Sequence, residues 1–219
     1  MLHHHTRSAS LYNERTRCRS AVQCPGLTHL NLDWNGIGVG GTERLARVLG
    51  QCVALAHLDL NCNYIKAPGS ESLAGVLAQY TTLNHLNLSR NGIGDVGAER
   101  LAGVLVHCAA LTHLNLNYNQ IGETGEQSLT RVMGQCQALS YFNLYVNYIT
   151  TTGTVRITGV LDQYPAMSHL DLYHNSFGAV GSESLGDVLT QCAALTHLDL
   201  SHDDIGADGS DSIERVLVQ

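Results

Sequence analysis

The sequence predicts an α/β solenoid: one right-handed arc with a parallel sheet on its concave side and helices on its convex side. Three observations predict it. The 219-residue chain superimposes on itself with a period of 28 residues and no slippage, giving repeats that begin at Leu27, Leu55, Leu83, Leu111, Leu139, Met167 and Leu195. Within each repeat, positions 1 to 7 alternate apolar and polar residues, which is the period of a strand. Positions 14 to 26 carry apolar residues at helical spacing. One strand and one helix cannot close a core, but stacked copies bury a continuous one.

The elements follow in order along a repeat whose pattern is LxHLxLxxNxIGxxGxExLxxVLxQCxA. The strand is expected to begin at position 2 or 3, so that Leu30 and Leu32 point inward while His29, Asn31 and Asp33 point outward. A turn follows, marked by Asn at position 9 and Gly at position 15. The glycine recurs in all seven copies, from Gly41 to Gly209, and either a positive φ or close approach of helix to strand would require it. Pro68 sits just before Gly69, where a first helical turn tolerates proline. The helix is expected over positions 14 to 26, with Leu45, Val48, Leu49 and Cys52 as its apolar residues in the first repeat.

The pattern LxxLxLxxNxI followed by a helix, in a 28-residue unit, resembles the ribonuclease-inhibitor-like class of leucine-rich repeats, and the resemblance spans Leu27 to Gln219. It implies a horseshoe-shaped leucine-rich-repeat solenoid. The class includes ribonuclease inhibitors, the sensing domains of intracellular nucleotide-binding immune receptors and Ran GTPase-activating proteins; some bacterial effectors also resemble it. Its members share an architecture rather than a chemistry. The resemblance further implies that the position-9 side chains, Asn35, Asn63, Asn91, Asn119, Asn147, Asn175 and Asp203, bond the backbone of neighbouring turns.

Composition narrows the functional classes. Hydrophobic residues make up 44 % of the chain, an ordinary core, and charged residues only 14 %, which argues against disorder. A net charge of −7 argues against general binding to nucleic acid or anionic membranes. No apolar run reaches the roughly 18 residues of a membrane span. Seven cysteines, an odd number, exclude a complete disulfide framework within one chain. Five of them, Cys24, Cys52, Cys108, Cys136 and Cys192, share position 26, where Tyr80 and Tyr164 stand in other copies. Without any CxxC or Cys/His zinc spacing, they read as reduced packing residues of a cytoplasmic protein.

Residues 1–26 break the repeat, placing Arg7, Arg15, Arg17 and Arg19 against Glu14, and read as a degenerate N-terminal cap or tail. Residues 27–219 form the seven repeats, the last of which stops inside its helix. That leads to two expectations: a fragment of a longer solenoid, or end-to-end self-association through the edges near Leu27 and Leu217.

Function is expected on the outward columns. Position 3 is nearly always histidine and position 5 always Asn or Asp, whereas positions 7 and 8 vary. The variable columns hold the single Trp, several Tyr and a lone Arg, types enriched at binding hot spots. The candidate partner-binding residues are Trp34, Arg90, Tyr118, Tyr145 and Tyr173, with Tyr64 and Tyr148 from the following loop position. They describe an interaction module that grips an unidentified protein on its concave face. The alternative is a scaffold or sensor fragment of a larger intracellular receptor or effector. A GTPase-activator-like role rests on the resemblance alone, and no catalytic residue maps to it. With no P-loop, GxSxG or HExxH, no enzyme activity and no cofactor are expected.

The histidine column carries its own expectation. Rings stacked at the strand spacing of about 4.8 Å should stay neutral, with depressed pKa values. The last two repeats read His169-Leu-Asp171-Leu-Tyr-His174 and His197-Leu-Asp199-Leu-Ser-His202, so carboxylates there are expected to raise the histidine pKa instead. These six side chains could also converge on a divalent metal such as zinc. A flat sheet does not readily supply a tetrahedron, so no metal site is expected.

Overall fold

The computed structural model of the protein describes residues 24–161, 166–189 and 192–217, with only the backbone of 187, 188, 212 and 215–217. Most of the expected N-terminal cap, together with Cys18 and Tyr164, therefore lies outside the described residues, as does the side chain of Leu217. The element order is β1 (His29–Asn31), α1 (Gly38–Leu49), β2 (His57–Asp59), α2 (Lys66–Leu77), β3 (His85–Asn87), α3 (Gly94–Leu105), β4 (His113–Asn115), α4 (Glu123–Met133), β5 (Tyr141–Asn143), α5 (Thr151–Leu161), β6 (His169–Asp171), α6 (Gly178–Leu189), β7 (His197–Asp199) and α7 (Gly206–Leu217). Among the described residues no helix is long and apolar enough to cross a membrane.

The strands form one parallel sheet in sequential order, β1 to β7. Their register is the sequence period itself: His29 pairs with His57, His57 with His85 and His85 with His113. Adjacent strands sit about 4.8 Å apart, whereas helices with side chains are about 10 Å across. One helix per strand therefore bends the stack, with the sheet on the inside of the curve.

The alternation reads the core correctly. Leu58 and Leu60 are fully buried, as are Leu86, Leu88, Leu114 and Leu116 in the same columns. Ile65, Ile93 and Ile121 close the core from the turns, and Leu49, Leu77 and Leu105 close it from the helices. In α1 the buried face runs through Thr42, Ala46 and Leu49. Val48, expected on that face, is 52 % exposed because it lies one residue off this stripe.

The helices begin one or two positions earlier than expected and end three earlier, and the cause of the early end lies in the neighbouring repeat. The side chain at position 26 reaches back to the last helical carbonyl of the preceding copy. Cys108 Sγ donates to Leu77 O at 3.6 Å, Cys136 Sγ to Leu105 O at 3.3 Å, and the Tyr80 hydroxyl to Leu49 O. Cys108, Cys136 and Tyr80 thus cap the preceding helix, whereas Cys52 Sγ donates within its own copy, to Val48 O at 3.7 Å. Burial pushes the Cys108 and Cys136 thiols up to about 11, so they remain protonated donors. The six described cysteines are all free thiols.

Between strand and helix, the asparagine column supplies the hydrogen bonds that the turn backbone lacks. Asn91 Nδ2 donates to Leu60 O, Leu88 O and Ser89 O at 2.9–3.0 Å. Its Oδ1 accepts from the amides of Asn63 at 2.9 Å and Ile65 at 3.3 Å. Asn63 and Asn119 repeat the arrangement one copy to either side.

The position-15 glycine answers to close approach. Gly97 is not among the positive-φ residues. A Cβ there would stand 2.5 Å from Ile93 Cγ2 and 2.9 Å from Ser70 Oγ of the preceding helix.

Two substitutions test this packing. Leu60→Ala should lose about 2–5 kcal/mol in denaturant unfolding, since a fully buried leucine leaves a cavity between repeats. Gly97→Ala should lose about 1–3 kcal/mol through overpacking. An unchanged midpoint in either variant would contradict the assignment of that column.

Candidate functional site

The outward face of the sheet carries rows that run across the strands. In the position-3 row, rings of successive strands stack with centroids 3.9–5.5 Å apart and planes within 28°, from His29 through Tyr141 to His197. Burial and stacked histidine neighbours hold the His57 pKa below its ordinary value and push that of His85 down to about 4.

His169 in the sixth repeat departs from expectation. His169 is also lowered, because burial and the parallel ring of His197 at 4.0 Å outweigh the attraction of Asp171. Burial also raises the Asp171 pKa above its ordinary value. The His169 and His197 rings stack in parallel and so do not converge on one ion. Among the described residues no three His, Cys, Asp or Glu side chains are grouped to hold a metal.

The next columns bind each other. Asn61 Nδ2 donates to Asp33 Oδ1 at 2.7 Å, Asn87 Nδ2 to Asp59 Oδ2 at 3.1 Å, and Asn143 Nδ2 to Asp171 Oδ2 at 2.9 Å. The acidic groups of this face are thus largely engaged within it, and Asn143, expected outward, is buried by its neighbours.

Position 8 has a different construction. Trp34, Cys62, Arg90, Tyr118, Val146, His174 and His202 all have φ between 49° and 59°. Left-handed backbone is uncommon outside glycine and costly for a β-branched residue such as Val146. The repeat holds it because the amide continues the inter-repeat bonding: Arg90 N donates to Asn117 O at 2.9 Å and Tyr118 N to Tyr145 O at 2.8 Å.

Four of the seven candidate residues meet in one row. The Arg90 guanidinium lies 4.0 Å from the centroid of the Tyr118 ring. Tyr118 meets Tyr145 edge-on at 4.9 Å, and Tyr145 stacks on Tyr173 at 4.6 Å. The Tyr118 hydroxyl donates to that of Tyr145 at 3.1 Å, a bond that helps to push the Tyr145 pKa up to about 12. His202 and His174 extend the row beyond Tyr173, with centroids at 5.1 and 5.8 Å from it. Sequence reasoning left out these two histidines, although they share the position-8 column with Trp34 and Tyr118. Trp34, Tyr64 and Tyr148 stand apart, 68, 60 and 63 % exposed.

This geometry sits on a recognisable repeat. The family model for the leucine-rich repeat matches residues 23–46, 80–102 and 107–129. The chain has the fold of a leucine-rich-repeat solenoid. The repeats are similar in fold to the leiomodin-1 actin-binding site 2 structure, at 17 % identity and a TM-score of 0.57, covering 70 % of this chain and 88 % of that one. They are also similar to the tropomodulin C-terminal domain of Caenorhabditis elegans, at 13 % identity and a TM-score of 0.56, covering 68 % and 92 %. Comparison with curated protein sequences gives no match.

The histidine row of these leucine-rich repeats should make stability pH-dependent. Folded pKa values below the ordinary 6.5 mean that the native state binds fewer protons, so this contribution is full above about 6.5 and is lost as pH falls toward 4. Melts of wild type and His85→Gln over that window should show a shallower pH slope in the variant. Equal slopes would remove His85 from the account.

Proposed function

We propose that the leucine-rich-repeat arc is a protein–protein interaction module of the ribonuclease-inhibitor-like kind. In this reading it grips its partner through the row Arg90, Tyr118, Tyr145 and Tyr173, with Trp34, Tyr64 and Tyr148 as flanking contacts.

One observation carries the reading. The exposed large apolar side chains of the described helices are all valines, namely Val48, Val96, Val155 and Val180. The exposed aromatics, Trp34, Tyr64 and Tyr148, all lie on the turns that border the sheet face. Aromatic rings on a preformed frame offer large contact area at low entropic cost, which suits a binding surface rather than a spacer. The leiomodin structure, whose title names an actin-binding site, gives a precedent for a protein ligand on this architecture. Actin is therefore a reasonable first probe beside unbiased capture from cell extract.

The test compares wild type with the triple variant Tyr118→Ala, Tyr145→Ala and Tyr173→Ala. The triple variant should weaken partner binding by at least about 2 kcal/mol, while Val96→Ser on the helical side should leave it unchanged. Hydrogen exchange in the complex should protect the sheet face. A footprint confined to α1–α7 would overturn the proposal.

A further inference from the structure

The asparagine column ends in a different residue. Each asparagine from Asn63 to Asn175 offers the ladder one acceptor, Oδ1, and one donor, Nδ2. Asn147 Nδ2 donates to Leu116 O at 3.1 Å and Leu144 O at 2.9 Å. Asn175 Nδ2 donates to Leu144 O at 3.2 Å and Leu172 O at 2.6 Å. The seventh copy has Asp203 in this place, 1 % exposed.

Asp203 fills half of the role. Its Oδ1 accepts from the Asn175 amide at 2.5 Å, as the ladder requires. Its Oδ2 is buried without a hydrogen-bond partner. By the register of the preceding copies, that oxygen occupies the place of the amide donor and faces the carbonyls of Leu172 and Leu200. An ionised carboxylate has only acceptors to offer there, and a buried charge facing carbonyl oxygens is costly. A protonated carboxyl restores one acceptor and one donor, the complement of asparagine.

We propose that Asp203 folds as the neutral acid, its Oδ2–H donating to the Leu172 or Leu200 carbonyl, so that a single proton clasps the seventh turn onto the sixth.

The surroundings favour that form. Asp171 on β6, Asp199 on β7 and Asp204 in the same turn all oppose a further negative charge, as burial does. The described charged side chains of α6 and α7 are Glu183, Asp208, Asp211 and Glu214, again all acidic. The titratable neighbours in the two turns are His174 and His202. Burial is the largest influence, and the Asp203 pKa is pushed up to about 7.

The sign of the effect follows. A folded pKa above the ordinary 3.8 means that the native state binds the extra proton, so the clasp is complete in acid and is lost as pH rises through about 7. This is opposite to the histidine row. The turn that loosens carries His202, and it abuts the turn carrying His174 at the end of the aromatic row.

The test reads the clasp locally, by amide hydrogen exchange at Asn175 and Gly178, which donate to Asp203 Oδ1 and Asp203 O. After correction for intrinsic exchange, wild-type protection should fall about tenfold between roughly pH 6 and pH 8. Asp203→Asn should be at least as protected and lose that dependence, while Asp204→Asn should keep it. The infrared carbonyl stretch of a buried carboxylic acid should be present in acid and absent from Asp203→Asn. Flat wild-type protection across neutrality, or a pH dependence that survives Asp203→Asn, would overturn the proposal.

Discussion

The buried asparagine side chain is the interaction on which the rest of the architecture depends. Three residues of strand are too few to fix a repeat, and the turn that follows leaves backbone groups that water cannot reach. One amide per copy meets that need by bonding forward and backward at once. Asn91 holds the carbonyls of its own turn and of the preceding one, while its oxygen receives two amides of the preceding copy. The period cannot drift by a single residue without breaking all of these bonds. Strand register, leucine burial and side-chain rows are consequences of that constraint.

What could be read from the sequence was chiefly what depends on residues within one copy. Alternation gave the inward leucines, and the recurrence of the unit gave the parallel sheet. Of the features set by the neighbouring copy, the asparagine bonding and the histidine stacking were anticipated, and the following were not. The helix ends early because Cys108 or Tyr80 of the next repeat takes its last carbonyl, a contact 31 residues away. Gly97 left two explanations open because the Ile93 methyl and Ser70 hydroxyl that crowd it come into view only in three dimensions. The lowering of His169 turns on burial and a ring from the adjacent strand, which outweigh the Asp171 that the local sequence made prominent.

The candidate site divides in the same way. The seven residues were picked by type and column. Their grouping did not follow from type: Arg90, Tyr118, Tyr145 and Tyr173 touch because four consecutive copies place a ring or a cation in adjacent lanes. Trp34 has Cys62 beside it in its own lane on the next repeat, so no ring meets it there. The left-handed backbone at position 8 had no sequence signal, since Trp, Cys, Arg, Tyr, Val and His all occupy it and none is glycine.

That backbone has a consequence for how the surface is read. The left-handed φ is set by the frame and shared by every copy, so residues as different as Trp, Arg, Tyr and His occupy this lane on the same fold. The lane works as a ruler with one mark per strand, graduated at about 4.8 Å, and its seven marks span roughly 29 Å. An elongated ligand laid across the strands would meet one interchangeable side chain at each graduation. Specificity could then be rewritten mark by mark while the ruler itself stayed the same length.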